Sequence, residues 1–224
     1  MSDLIDFFQT FEFNISKKGH IFVISGFSGV GKGTVISKIL QNNPNIYFSV
    51  SYTTRPKRPN EIEGKDYFFI SKEEFKEKIL SDDFLEWAVV NDEFYGTSKS
   101  QVLEKIQNQI DVILDIDVKG AIQVKSKLPN FTTLIYIIPP TGLELLKRLK
   151  NRNTETDEQI LKRITTSLTE INYINAYDYL VINDDLDECI NQIQTIINAQ
   201  KLSSKVSTLY ISKKTNIEKI NKNN

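Results

Sequence analysis

An α/β chain with a parallel sheet flanked by helices is what the sequence predicts, and three observations carry that expectation. The apolar run Ile21-Phe22-Val23-Ile24 leads into Gly26-Phe27-Ser28-Gly29-Val30-Gly31-Lys32-Gly33-Thr34, and Val35, Ile36, Ile39 and Leu40 lead out at helical spacing. That is strand, glycine loop and helix. Two more runs, Val112-Ile113-Leu114 and Thr133-Leu134-Ile135-Tyr136-Ile137-Ile138, are apolar enough to be covered on both faces, as strands of a parallel sheet are. The first of them runs on into Asp115 and Asp117, on the carboxyl edge where doubly wound sheets gather ligands.

The glycine loop meets the pattern G-x-x-x-x-G-K through Gly26, Gly31 and Lys32. Glycines let successive N–H groups turn into one concavity, the following helix terminus adds partial positive charge, and Lys32 supplies a full one. Such a concavity suits a nucleotide's phosphates. The next position, ordinarily Ser or Thr to hold magnesium, is Gly33, and Thr34 follows one residue later. A glycine turn with a chance lysine is the bland alternative, and the flanking strand and helix argue against it.

Composition bounds the rest. The 224 residues are enough for one well-buried domain, and 40% hydrophobic with 25% charged is ordinary for a soluble globule. A formal net charge of −1 excludes a globally basic nucleic-acid binder. Cys189 is alone, so neither an internal disulfide nor a cysteine cluster for zinc can form. The sole histidine, His20, precedes the first strand and so falls on the edge opposite the glycine loop. Leu4, Ile5, Phe7, Phe8 and Phe11 are interrupted by Asp3, Asp6 and Glu12, which is not a signal peptide, and no apolar run approaches the roughly 18 residues of a spanning helix. A cytoplasmic protein with no membrane or nucleic-acid partner is expected.

In chain order, residues 1–18 read as an appended segment of one or two amphipathic turns with Leu4, Phe8 and Phe11 on one side. Asn42-Asn43-Pro44 ends the helix after the loop. Residues Tyr47 to Thr54 read as one strand and Tyr67 to Ile70 as another, around the basic turn Arg55-Pro56-Lys57-Arg58-Pro59. Arg55 and Arg58 could fork around a second phosphate or simply form a solvated face. Ser71 and Glu74 make a capping box. In Phe84-Leu85-Glu86-Trp87-Ala88-Val89-Val90 a single carboxylate sits in an apolar strand: either alternation turns Glu86 to solvent, or its two acceptor oxygens serve the N1–H and amino group of a guanine. Asp115 resembles a Walker B acid of the magnesium shell. Asp117 could cap the next helix, bind, or do both. Arg148, Arg152 and Arg163 lie across two helical patterns joined by a polar link, with a second capping box at Thr156 and Gln159. They could close over a transferring phosphate as a flap, or be ordinary surface charges. Tyr179 to Asn183 reads as the last strand, and from about Ser203 the chain reads as a frayed polar tail.

Taken together, GFSGVGKGT, SVSYTTRPKRPNEIEGKDYFF, FLEWA, FYGTS, ILDIDVKGA, LKRLKNRNTET and VINDDL resemble the guanylate kinase family from about Gly19 to Leu202. The resemblance implies a P-loop NTPase fold with a GMP-binding subdomain at about 48–100 and a lid at about 141–172, between an extension at 1–18 and a tail at 203–224. It implies transfer of the γ-phosphate of magnesium-ATP to GMP, by a monomer or homodimer. It implies a GMP phosphate held by Ser51, Arg55, Arg58 and Tyr67 with Tyr95 helping, guanine read by Glu86 and Thr97 with Asp117 near its amino edge, and ATP held by Gly26 to Thr34 and Asn183. Lys32, Arg148, Arg152 and Arg163 would be catalytic. Phe27 stands where the family usually has proline, Lys57 replaces another proline, and Asn60 and Asn153 replace glycines. The rival readings, a sugar-phosphate kinase and a non-catalytic scaffold module, fit less well, because a base-reading pair and the phosphate machinery are both present.

Overall fold

The structure, a computed structural model, describes residues 11–90, 92–151 and 156–213. Its centre is a five-stranded parallel sheet. The strands are β2 (Ile21–Gly26), β3 (Tyr47–Phe48), β8 (Val112–Asp115), β9 (Thr132–Ile138) and β10 (Tyr179–Ile182), in the order β10-β9-β2-β8-β3. All six residues of β2 are buried, which is why its sequence runs apolar without alternation. Helices α1 (Lys32–Asn42), α4 (Val118–Lys127) and α7 (Leu186–Gln200) cover the sheet with Val35, Ile39, Val124, Ile193 and Ile197, all fully buried. Because β2 lies between β8 and β9, the loop that follows it opens at the middle of the sheet's carboxyl edge.

A second sheet of four strands, ordered β5-β4-β7-β6, stands beside the first: β4 (Tyr52–Thr53), β5 (Phe68–Phe69), β6 (Phe84–Val90) and β7 (Glu93–Ser98). Helix α2 (Lys72–Leu80) packs under it through Phe75, whose ring stacks on Phe84 at 4.4 Å between centroids. Helix α3 (Lys99–Gln107) returns the chain to β8. Between β9 and β10 lie α5 (Gly142–Lys150) and α6 (Asp157–Glu170). Both expected capping boxes are formed, Ser71 with Glu74 and Thr156 with Gln159. Among the described residues no helix is long and apolar enough to cross a membrane.

Two expectations are corrected. The run from Tyr47 to Thr54 is not one strand. Tyr47 and Phe48 pair with β8 in the central sheet, whereas Tyr52 and Thr53 join the second. The chain crosses between sheets at Ser49 to Ser51, with Ser49 N donating to Ile113 O at 3.1 Å and Ser51 O accepting from Phe68 N at 2.9 Å. A uniformly β-favouring composition conceals such a crossing. The second correction concerns the ends. Seven-residue strands β1 (Phe11–Lys17) and β11 (Ser207–Lys213) pair antiparallel, where a helical turn and a frayed tail were expected. The period-two alternation Phe11, Phe13, Ile15 was present in the sequence but short, and its partner is almost 200 positions away. Leu4 and Phe8 lie outside the described residues.

Candidate active site

The glycine loop is shaped by close approach as much as by turning. At Gly26, a Cβ would lie 2.3 Å from the carbonyl oxygen of Ile137 on β9. Gly29 and Gly31 have φ of +88° and +100°, the left-handed region that side chains resist. Lys32 opens α1, and its Nζ spans the loop to donate to Gly26 O at 2.9 Å. Gly33 is different. A Cβ there would meet nothing within 4 Å, so space alone does not require glycine where the common motif has a hydroxyl. Thr34 is exposed beside it. Phe27, the departure in the loop, is buried with its ring edge-on to Tyr136 at 6.0 Å.

Above the loop opens a cleft of about 890 Å³. It is lined by Gly26, Ser28 and Lys32 of the glycine loop, Asp115 and Asp117 at the end of β8, Ser51, Arg58, Tyr67, Glu86 and Tyr95 from the second sheet and its loops, and Arg163 of α6. These eleven predicted residues, separated by as much as 137 positions in sequence, meet around one space.

Glu86 is the buried carboxylate of the cleft. It is 3% exposed, not turned to solvent, and Thr97 Oγ1 donates to its Oε1 at 2.6 Å. Burial pushes its carboxyl up to about 7, with the Thr97 bond opposing and Asp117 adding to the rise. Asp117 does cap α4, accepting from Gly120 N at 2.8 Å, and it lines the cleft as well. Asp115 is exposed toward the cleft, but burial by the protein around it raises its carboxyl above the usual range while Lys32 works the other way. Burial, then the charge of Asp115, pushes the Tyr67 hydroxyl up to about 12, so it stays protonated and able to donate.

Other predicted residues stand one layer back. Arg55 does not line the cleft: its guanidinium makes a two-fold pair with Glu61 at 2.7 and 3.0 Å and lies 5.3 Å from the centre of the Tyr67 ring. Thr97 is fully buried behind Glu86. Arg148 grips the outer side of the glycine loop, donating to Val30 O at 3.2 Å and Asn183 O at 2.9 Å while its Nε pairs with Glu144 at 3.0 Å. Asn183 Nδ2 donates to the same Val30 O at 2.7 Å. Gly29, Val30, Gly31, Gly33 and Thr34 form the loop without lining this cleft, and Arg152 lies outside the described residues.

The structure also brings in residues that the sequence did not suggest. Ser167 on α6 is buried, and its Oγ accepts from Ser28 N at 3.1 Å, tying that helix to the glycine loop. Glu170 faces the cleft, its carboxyl raised by burial and lowered by Lys32. They follow Arg163 by four and seven positions on one helical face, and that spacing was the signal available. Glu61, which pairs with Arg55, is a third such residue.

The sequence model of the guanylate kinase family matches residues 18–200, most of the chain. The chain belongs to the guanylate kinase family. Guanylate kinase from Clostridium tetani is 49% identical over 185 residues, covering 83% of this chain and 88% of that protein. Guanylate kinase from Caldanaerobacter subterraneus subsp. tengcongensis is 46% identical over 188 residues, 84% of this chain and 91% of that one. The crystal structure of guanylate kinase from Anaplasma phagocytophilum superposes with a TM-score of 0.73 at 30% identity, covering 87% of this chain and 93% of that chain. The guanylate kinase match takes in the loop, the cleft and α7, and leaves out the β1–β11 ribbon apart from its neighbouring residues.

Proposed function

We propose that this chain transfers the γ-phosphoryl group of magnesium-bound ATP to GMP, with ATP on the glycine loop and GMP across the cleft. One observation carries the division of labour: a buried carboxylate, Glu86, held by Thr97 and brought to the cleft by the second sheet rather than by the glycine loop. A buried carboxylate needs donors, and guanine presents two, N1–H and the exocyclic amino group. Adenine presents an acceptor at N1, so it would leave the carboxylate unsatisfied, and discrimination follows from that cost.

A phosphate monoester with a second pKa of about 6 is largely ionised at neutral pH, so the attacking oxygen needs no strong base. This agrees with the place of His20, which is buried on the opposite edge against Thr133 at 2.8 Å. Arg58, Tyr67, Tyr95 and Ser51 position the acceptor phosphate, and Arg55, paired with Glu61 and stacked near Tyr67, supports that group from behind. Lys32 and Arg163 stabilise charge on the transferring phosphoryl, with Arg152 assigned the same role by the family motif. Arg148 and Asn183 brace the loop that carries ATP. Magnesium supplies charge neutralisation between the ATP phosphates when bound. Asp115, a hard oxygen donor lining the cleft and near Lys32, fits its shell.

Turnover with GMP, AMP and UMP tests this reading. Glu86→Ala should lower kcat/KM for GMP by about 10²-fold or more and erase its preference over AMP, while KM for ATP changes little. Unchanged preference would remove Glu86 from base reading.

A further inference from the structure

Gly120 occupies the first turn of α4, where glycine is a poor helix former and where its backbone is ordinary helix rather than left-handed. Conformational freedom therefore does not account for it. Space does. A Cβ at Gly120 would lie 2.4 Å from Glu86 Oε2 and 3.0 Å from the Glu86 carboxyl carbon, far inside contact distance. The other oxygen, Oε1, is already held by Thr97 at 2.6 Å, and the whole side chain is 3% exposed. The carboxylate is thus seated between a hydroxyl on β7 and the bare backbone of a helix terminus, whose partial positive charge suits an anion. On the cleft side of the same turn, Asp117 accepts from Gly120 N at 2.8 Å.

We infer that Gly120 is a specificity-determining positioning residue: its missing side chain sets how far the Glu86 carboxylate retreats against α4, and so where its oxygens meet the acceptor's base. The inference rests on Glu86 as the reader of guanine. A methyl group at this position pushes the carboxylate toward the cleft, into the space of the base, or breaks its bond to Thr97. Either outcome injures recognition of the acceptor base and leaves the ATP end of the cleft, on the other side of the floor, in place. Gly120 itself does not line the cleft, so it acts through Glu86.

A double-mutant cycle tests this directly. Gly120→Ala, Glu86→Ala and the double variant are compared by KM and kcat for GMP, KM for ATP, and melting temperature. Gly120→Ala alone is expected to raise KM for GMP about tenfold or more with KM for ATP within about twofold. In the Glu86→Ala background, where the carboxylate is gone, it should have no further effect on GMP and should raise the melting temperature, since alanine is the better helix former. An equal loss in both backgrounds, or no change in KM for GMP in the single variant, overturns the inference. Should Gly120→Ala fail to fold, folding of the double variant supports the seating of Glu86 against Gly120, and failure of the double to fold overturns it. Loss of the base-reading role itself is seen separately, as unchanged GMP preference in Glu86→Ala alone.

Discussion

Glu86 and His20 illustrate how single residues set the protein's response to pH. With its carboxyl raised to about 7, Glu86 is substantially protonated in the empty cleft near neutral pH, and a protonated acid cannot accept from both guanine donors. Guanine binding therefore releases a proton. GMP affinity should fall as pH drops below about 7, approaching tenfold per pH unit from this group. The acceptor's own phosphate, with its second pKa of about 6, adds a dependence that remains in Glu86→Ala, so the difference between the two titrations isolates Glu86. A pH dependence identical in both proteins would contradict this account. His20 shifts the other way: burial, then Lys125, lowers it from 6.5 to about 4. The unfolded chain binds that proton at higher pH than the folded one, so stability is lost as pH falls from 6.5 toward 4. Because it is the sole histidine, its single imidazole resonance can be followed by NMR, with a midpoint near 4 expected and one near 6.5 contradicting its burial. At this scale the candidates Lys32, Glu86 and Asp117 were legible, since they are chemically unusual for their positions, and all three line the cleft. Their partners were not. Glu61 behind Arg55, Ser167 on Ser28 N and Gly120 against Glu86 depend on contacts across 6, 139 and 34 positions, and residue type alone does not signal them.

Among elements, those with a strong period and a clean boundary were readable. The β2–loop–α1 unit, the two capping boxes and the buried strands β8 and β9 follow from apolar runs and Gly, Ser or Thr punctuation. Short strands were not, because two residues of β3 and two of β4 cannot show a period, and tertiary pairing decides which sheet each joins. The terminal ribbon escaped for a related reason. Its strands pair with each other, and Lys17 Nζ donates to Lys201 O at 2.9 Å at the ribbon's base. A two-stranded ribbon has little stability of its own. Removing residues from 207 onward should therefore lower the melting temperature by no more than about 4 °C and leave kcat/KM for GMP within about twofold. A large loss of activity on truncation would mean that the ribbon supports the cleft.

For the molecule as a whole, the near-zero net charge and the concentrated local fields belong together. The formal charge is −1, yet Lys32, Arg58, Lys162 and Arg163 reach the cleft opposite Glu86, Asp115, Asp117 and Glu170. Such a cleft attracts phosphates at one set of positions and hydrogen-bond donors at another, without a general affinity for polyanions. Three parts meet there, the central sheet, the second sheet and α6, and Ser167 on Ser28 ties the last to the loop. The proposed transfer needs both nucleotides in this cleft at once. Its most direct measurement is ADP release from magnesium-ATP with GMP, AMP, UMP or no acceptor, beside Lys32→Ala at equal concentration. GMP-dependent turnover should be reduced about 10²-fold or more in Lys32→Ala, with little ADP formed without acceptor. GMP binding with no ADP formed, or equal turnover with all acceptors, would contradict it.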